Sequence, residues 1–218
     1  MINGNGYKTS FRNEVILVTG GAGAIGSNLT RELAECGAKK VMVLDDLSSA
    51  QRWNIPSHQN ILFVEGSILD EVLLKRVFFE EPSYVFHLAA FFANQNSVDY
   101  PEKDLQVSQL GTIKMLEHAV LTGGVKRFIY ASTVYVHSRE GGFYRCSKQA
   151  SEAYVEEYHK IYGLNYTSLR YGSLYGPRAD ENNGLYRIVK SALKNGKVKY
   201  EGDINAMREY IHVEDAAR

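Results

Sequence analysis

Short apolar runs alternate with amphipathic stretches along most of the chain. Val15–Val18, Lys40–Leu44, Asn60–Val64, Tyr84–His87, Phe128–Ala131 and Tyr166–Leu169 are near-continuous apolar segments of strand length. Runs of this kind are expected of strands covered on both faces. Between them, apolar residues recur at helical spacing. Ala24, Ile25, Leu29 and Leu33 follow the first run. Asp70–Glu80, Leu105–Leu121 (closed by Gly123–Gly124) and Tyr144–Tyr162 (stopped by Gly163) follow later ones. Alternating strands and helices predict an α/β fold, a doubly wound parallel sheet with helices on both faces. Beyond it, Gly184–Asn195 reads as a further helix and Lys197–Tyr200 as a strand. The polar start, residues 1–13, reads as a loose arm.

Composition narrows the class. The chain has 218 residues, enough for one domain with a sizeable core, or for one domain plus part of another. Lys+Arg and Asp+Glu both number 25, so no charge imbalance points to nucleic acid. Cys36 and Cys146 stand far apart, which implies neither a disulfide framework nor a zinc site, and no metal is expected. No apolar run reaches the roughly 18 residues of a membrane span, and the start lacks the apolar core of a signal peptide. The expectation is a reduced, cytoplasmic, soluble protein.

The strongest chemical signal is EVILVTGGAGAIGSNL, Glu14–Leu29. A strand runs into Gly20, Gly23 and Gly26, with Gly21 between, and then into a helix. Gly21, Gly23 and Gly26 also fit G-x-G-x-x-G in the strand–turn–helix context that the pattern requires. Glycine lets the backbone turn sharply and approach a pyrophosphate, and the last glycine lets helix and strand pack closely. The helix N-terminus offers N–H groups and a positive dipole end to phosphates. Asp45, 19 residues beyond Gly26, ends the second strand. A carboxylate there accepts from the adenosine ribose hydroxyls and repels a 2′-phosphate, favouring NAD over NADP. Asp46, Ser48 and Ser49 continue that loop. Leu88, Ala89 and Ala90 end the fourth strand, where small residues let a cofactor lie close to the backbone. His87 reads as a packed strand-end histidine, because no second His or Cys stands at ligand spacing.

Tyr144 and Lys148 lie four apart near a helix start, hence on one face. Ser132–Thr133 ends the preceding strand, at the carboxyl edge of the sheet where ligands bind. A free phenol has a pKa near 10, so about one in a thousand is ionised at neutral pH. A nearby ammonium and a cationic nicotinamide would favour the phenolate. The phenolate could then take a proton from a sugar or alcohol hydroxyl, while the Thr133 hydroxyl holds the substrate oxygen. With 15 tyrosines in the chain a chance Tyr-x-x-x-Lys pair is a real alternative, outweighed here by the glycine loop and the Ser-Thr strand end.

The glycine loop, Asp45, HLAA at His87–Ala90, Ser132–Thr133, Tyr144-x-x-x-Lys148, LRYGSLYGPR at Leu169–Arg178 and REYIHVEDAAR at Arg208–Arg218 occur in one order. Together they resemble the extended short-chain dehydrogenase/reductases, and more narrowly their NAD-dependent sugar-nucleotide epimerase/dehydratase branch. The resemblance covers residues 14 to 218. It implies a Rossmann domain at 14–172 and a small substrate lobe from 173 onward. It implies NAD contacts from Gly20, Gly23, Ala24, Ile25 and Gly26, from Asp45, Asp46 and Ser48, and from Ser67 and Ile68 near the adenine. Leu88, Ala89, Ala90, Ser108, Lys148 and Tyr171 complete that set. The catalytic set it implies is Tyr144 as base, Lys148 on the nicotinamide ribose, and Thr133 as hydroxyl partner. The short Thr133–Tyr144 segment leaves Ser132 as a second candidate for the hydroxyl. Ser173 and Arg208 would meet a nucleotide-diphosphate sugar, Arg208 at the diphosphate. The family pattern has Asp at Ser67, Asn at Ser108 and commonly Asn at Ser173, so contacts there are shorter in reach.

Within the branch, similar 4,6-dehydratases carry Asp-Glu after the threonine, and decarboxylases carry Glu. Val134–Tyr135 stands here, which favours epimerisation through a 4-keto intermediate. A dehydrogenase or dehydratase of the same branch is one alternative. A non-catalytic NAD-binding protein is another, because in the family roughly a hundred further residues of substrate lobe follow the last motif, so a truncated lobe is expected here. The resemblance also implies a homodimer through the helices at Leu105–Leu121 and Tyr144–Tyr162, although those apolar faces could equally be packed within one chain.

Overall fold

The computed structural model describes residues 11–91, 94–139, 141–198, 207 and 209–218. Six parallel strands form its main sheet: β1 (Val15–Thr19), β2 (Lys40–Asp45), β3 (Ile61–Glu65), β4 (Tyr84–His87), β5 (Arg127–Thr133) and β6 (Tyr166–Tyr171), in the order β3-β2-β1-β4-β5-β6. The order reverses between β1 and β4, which opens a crevice at the carboxyl ends of those strands. Alternation along β1 divides the core. Leu17 faces one side with Met42, Val85, Phe128 and Tyr130, covered by α2 (Glu71–Phe78), α5 (Gly111–Thr122) and α6 (Gly142–Tyr162). Ile16 and Val18 face the other with Val41, Phe86 and Ile129, covered by α1 (Ala24–Glu35) and α8 (Val213–Ala217). Apolar side chains on both faces explain why these strands read as unbroken runs.

Each predicted main-sheet strand and its neighbouring helix is present, with ends shifted by a few residues. The larger differences lie where periodicity is weak. Two short helices, α3 (Asn94–Asp99) and α4 (Pro101–Asp104), precede the predicted helix, which begins as a π-helical stretch, Leu105–Leu110, before continuing as α5. In that stretch the Gly111 N–H reaches back five residues to the Gln106 carbonyl. The Ser108 carbonyl accepts instead from the Thr112 and Ser151 hydroxyls, at 2.7 and 2.9 Å, which opens the helical ladder there.

Two expectations need correction. Residues 11–13 are not a loose arm: Phe11 packs edge-on against Tyr84 and Phe86, and the Asn13 N–H donates to the Gly37 carbonyl. Residues 1–10 lie outside the described residues. In the expected strand Lys197–Tyr200, residues 197 and 198 are irregular and 199 and 200 lie outside the described residues. A different strand, β7 (Ser173–Tyr175), instead pairs in parallel with β8 (Tyr210–His212), and helix α7 (Gly184–Asn195) lies between them in the chain. Among the described residues, no helix is long and apolar enough to cross a membrane.

Candidate active site

The carboxyl ends of the strands open into one cleft of about 690 Å³, within the range of small-molecule sites. Gly20, Gly23 and Gly26 line its floor. A Cβ on Gly26 would lie 2.2 Å from the Gly20 carbonyl oxygen and 2.6 Å from the Gly21 Cα, so helix α1 meets the turn at a distance only glycine allows. Gly20 has φ +67°, and a Cβ there would meet the Ala89 backbone nitrogen at 2.7 Å. Gly23 caps α1 without a side chain, leaving first-turn N–H groups to a ligand.

Asp45 closes the next wall. One carboxylate oxygen accepts from the Ala22 N–H and the other from the Leu47 N–H, both at 2.9 Å. Burial raises its pKa against the lowering effect of those two bonds. Each oxygen keeps a lone pair for a ribose hydroxyl. Asp46, Ser48, Ser67, Ile68, Leu88, Ala89 and Ala90 line the same cleft. Glycine cradle, uncapped helix and ribose-height carboxylate together fit a dinucleotide.

The other half of the cleft carries Ser132, Thr133, Tyr144, Lys148, Tyr171 and Ser173. Thr133 Oγ1 accepts from the Tyr135 N–H at 3.3 Å, which leaves its own hydrogen to donate to a substrate oxygen. Lys148 is buried; its Nζ donates to the Ala131 carbonyl at 2.7 Å and lies 5.8 Å from the centre of the Tyr144 ring. Burial pushes the Lys148 ammonium down to about 8, against the pull of Asp104 and Glu152. Tyr144 is held above the ordinary phenol range, first by burial and then by the charges of Asp104 and Tyr135. Both effects favour the protonated phenol.

One predicted NAD contact is off the cleft wall. Ser108 is buried, accepts from the Phe91 N–H at 3.1 Å and donates to Asp104 at 2.8 Å. Its hydroxyl is therefore engaged by protein groups and does not line the cleft. Arg208 lies outside the described residues. His87 is packed, as expected, between the Thr19 and Thr112 hydroxyls at 2.8 and 3.0 Å. Thr19 already accepts from the Ala89 N–H, and Thr112 already donates to the Ser108 carbonyl. Donor accounting therefore places the imidazole hydrogen on Nε2.

Sequence reasoning missed two cleft residues. Arg178 donates to Ser27 and Asn28 in the first turns of α1, at 3.3 and 3.1 Å, and holds φ +67°. It belongs to the LYGPR motif, so its spacing was visible although its reach was not. Tyr135 follows Thr133 by two and turns toward the cleft in a 3₁₀ turn, Val134–His137, that apolar periodicity does not announce.

Residues 16–218 match the NAD dependent epimerase/dehydratase family. The chain belongs to that family. NAD is accordingly its cofactor. The UDP-glucose 4-epimerase of Mycolicibacterium smegmatis is 34% identical over 91% of this chain and 69% of its own length. The epimerase Mth375 from Methanothermobacter thermautotrophicus superposes with a TM-score of 0.90 at 41% identity, over 96% of this chain and 67% of that one. The Bordetella bronchiseptica enzyme WbmF, solved in complex with NAD+, superposes with a TM-score of 0.87 at 32% identity, over 95% and 68% of the two chains.

Proposed function

We propose that this chain epimerises a nucleotide-diphosphate sugar at C4 through a transient 4-keto sugar. Bound NAD would supply the acceptor for the hydride from C4 and return it to the opposite face. Tyr144 Oη would take the hydroxyl proton as the ketone forms and give it back afterwards. Lys148 would hold the nicotinamide ribose and offset phenolate charge, and the Thr133 hydroxyl, or that of Ser132, would fix the substrate oxygen. Ser173 and Arg208 would meet the nucleotide end of the substrate. The M. smegmatis relative is named for UDP-glucose, which makes UDP-sugars the first substrates to try.

One observation carries the choice of reaction. Thr133 is followed by Val134 and Tyr135, and the carboxylates that line the cleft among the described residues are Asp45, Asp46 and Asp180. None adjoins Thr133 in the chain, so the acid that water or carbon dioxide loss requires has no counterpart there. The test is incubation of the NAD-loaded protein with UDP-glucose, UDP-N-acetylglucosamine, UDP-glucuronate and dTDP-glucose, with products read by NMR. Inversion at C4 without accumulation of reduced nicotinamide is expected. A 4-keto-6-deoxy product identifies a dehydratase, and stoichiometric reduced nicotinamide a dehydrogenase. Tight NAD binding without conversion identifies a binding protein. Leu121 on α5, with Tyr154, Ile161 and Tyr162 on α6, leaves an exposed apolar face that supports pairing of two copies; sedimentation of the protein tests it.

A further inference from the structure

Among the described residues, Asp104 is the only fully buried carboxylate and Lys148 the only fully buried ammonium. A carboxylate out of water is costly unless it is hydrogen-bonded and compensated. Asp104 ends α4. Its Oδ1 accepts from the Ser108 hydroxyl at 2.8 Å and its Oδ2 from the Ser147 hydroxyl at 2.7 Å. Neither hydroxyl is free to turn away. Ser108 Oγ already accepts from the Phe91 N–H at 3.1 Å, and Ser147 Oγ from the Gln109 amide at 3.2 Å. Both hydroxyl hydrogens are thereby directed at the carboxylate. Ser147 immediately precedes Lys148 on α6 and follows Tyr144 by three positions, so the link ends between the two residues assigned to chemistry.

We propose that Asp104 is a positioning residue for the Tyr144–Lys148 pair: its carboxylate, aimed by Ser108 and Ser147, is the interior counter-charge of the Lys148 ammonium. The proposal rests on the roles given to Tyr144 and Lys148 above. Among the described residues, the rings of Tyr130 from β5 and Tyr144 from α6 lie 4.9 and 5.8 Å from Lys148 Nζ, the charges of Asp104 from α4 and Glu152 from α6 act on it, and its own charge acts on His87 from β4. Among the described residues, the charges of Asp104 and Tyr135 add to burial in raising Tyr144. One negative charge has opposite consequences for the two. It favours the charged form of Lys148 against burial, and it disfavours the charged form of Tyr144. The pair is thus poised as ammonium and phenol until ligands add positive charge.

The prediction concerns titration, not turnover alone. In Asp104→Asn, the Lys148 and Tyr144 midpoints both fall, by about one pH unit, a tenfold change in proton affinity. Lys148 is followed by nitrogen-15 NMR, its signal assigned by loss in Lys148→Arg. Tyr144 is followed by ultraviolet phenolate difference titration against Tyr144→Phe. Ser147→Ala keeps the carboxylate but removes its aim, and moves the Lys148 midpoint the same way by less. Unmoved midpoints in a folded Asp104→Asn overturn the proposal; if that variant does not fold, an unmoved Lys148 midpoint in Ser147→Ala does so. Shifted midpoints without conversion of any sugar reject the reaction proposed above and leave the counter-charge standing. Conversion with unmoved midpoints does the reverse.

Discussion

In the proposed reaction Tyr144 is the base, and its burial decides how its loss will read. Removing the phenol hydroxyl takes away a proton acceptor while the aromatic ring still packs against Lys148. Tyr144→Phe should lower turnover by about 10²–10⁴-fold, the usual reach of one general base. NAD affinity, measured by calorimetry, should stay within a few-fold; unchanged turnover would remove Tyr144 as the base. Asp45 calls for a different measurement, because its carboxylate also ties the Ala22 and Leu47 N–H groups. Asp45→Ala will loosen the loop as well as the ribose contact, so absolute affinity mixes two effects. The ratio of NAD to NADP affinity separates them. Losing a charged acceptor is worth ~1–3 kcal/mol, so preference for NAD should shrink about tenfold or more. An unaltered ratio would take Asp45 out of the ribose site.

At the scale of elements, the glycine turn shows what local sequence can disclose. Three glycines between an apolar run and a helix have one cheap explanation, close backbone approach, and the 2.2 Å gap that a Gly26 Cβ would face supplies it. Gly26→Ala meets backbone rather than a flexible side chain. It should cost ~3 kcal/mol or more, which for a chain of this size is about 6–12 °C in Tm, and NAD binding should fall with it. Gly124→Ala, where no atom lies within 4 Å, should leave both unchanged. Equal melting temperatures for the two variants would contradict the packing argument. The strands and the long helices were legible for the same reason, since burial on two faces or one writes a period into the chain. The π-helical stretch was not, because its cause is two hydroxyls competing for the Ser108 carbonyl, one of them 43 residues away on Ser151. The β7–β8 pair was not, because three-residue strands are too short to carry a period. Ser108 shows the limit for the site: matching a family position does not disclose the protein groups, Phe91 N–H and the Asp104 carboxylate, that its side chain engages.

For the whole molecule, the buried ionisable groups make stability depend on pH with a sign that can be worked out. Burial, with the Lys148 charge adding to it, pushes His87 down to about 3 from its ordinary 6.5. Between those values the unfolded chain binds a proton that the native protein does not, so stability falls as pH drops from about 6.5 toward 3. Lys148 acts in the same sense at higher pH. Its native value is about 8 against 10.5 in the open chain, so the unfolded state again holds the extra proton in between. Stability should therefore rise with pH from about 8, by up to ~1.4 kcal/mol per pH unit, the slope of one proton. Tyr130 and Tyr144 oppose this only above their ordinary value of 10, because both are raised by burial and keep their protons after the unfolded chain has lost its own. Urea midpoints of the cofactor-free protein should climb between pH 8 and 10 and turn over beyond it. Lys148→Met removes the titrating ammonium while filling the same space with an unbranched side chain, so its midpoints should be flat across that window. A wild-type curve that is level or falling from pH 8 to 10, or a Lys148→Met curve with the same rise, would mean that the lysine is not held in the folded interior as a proton-shedding group.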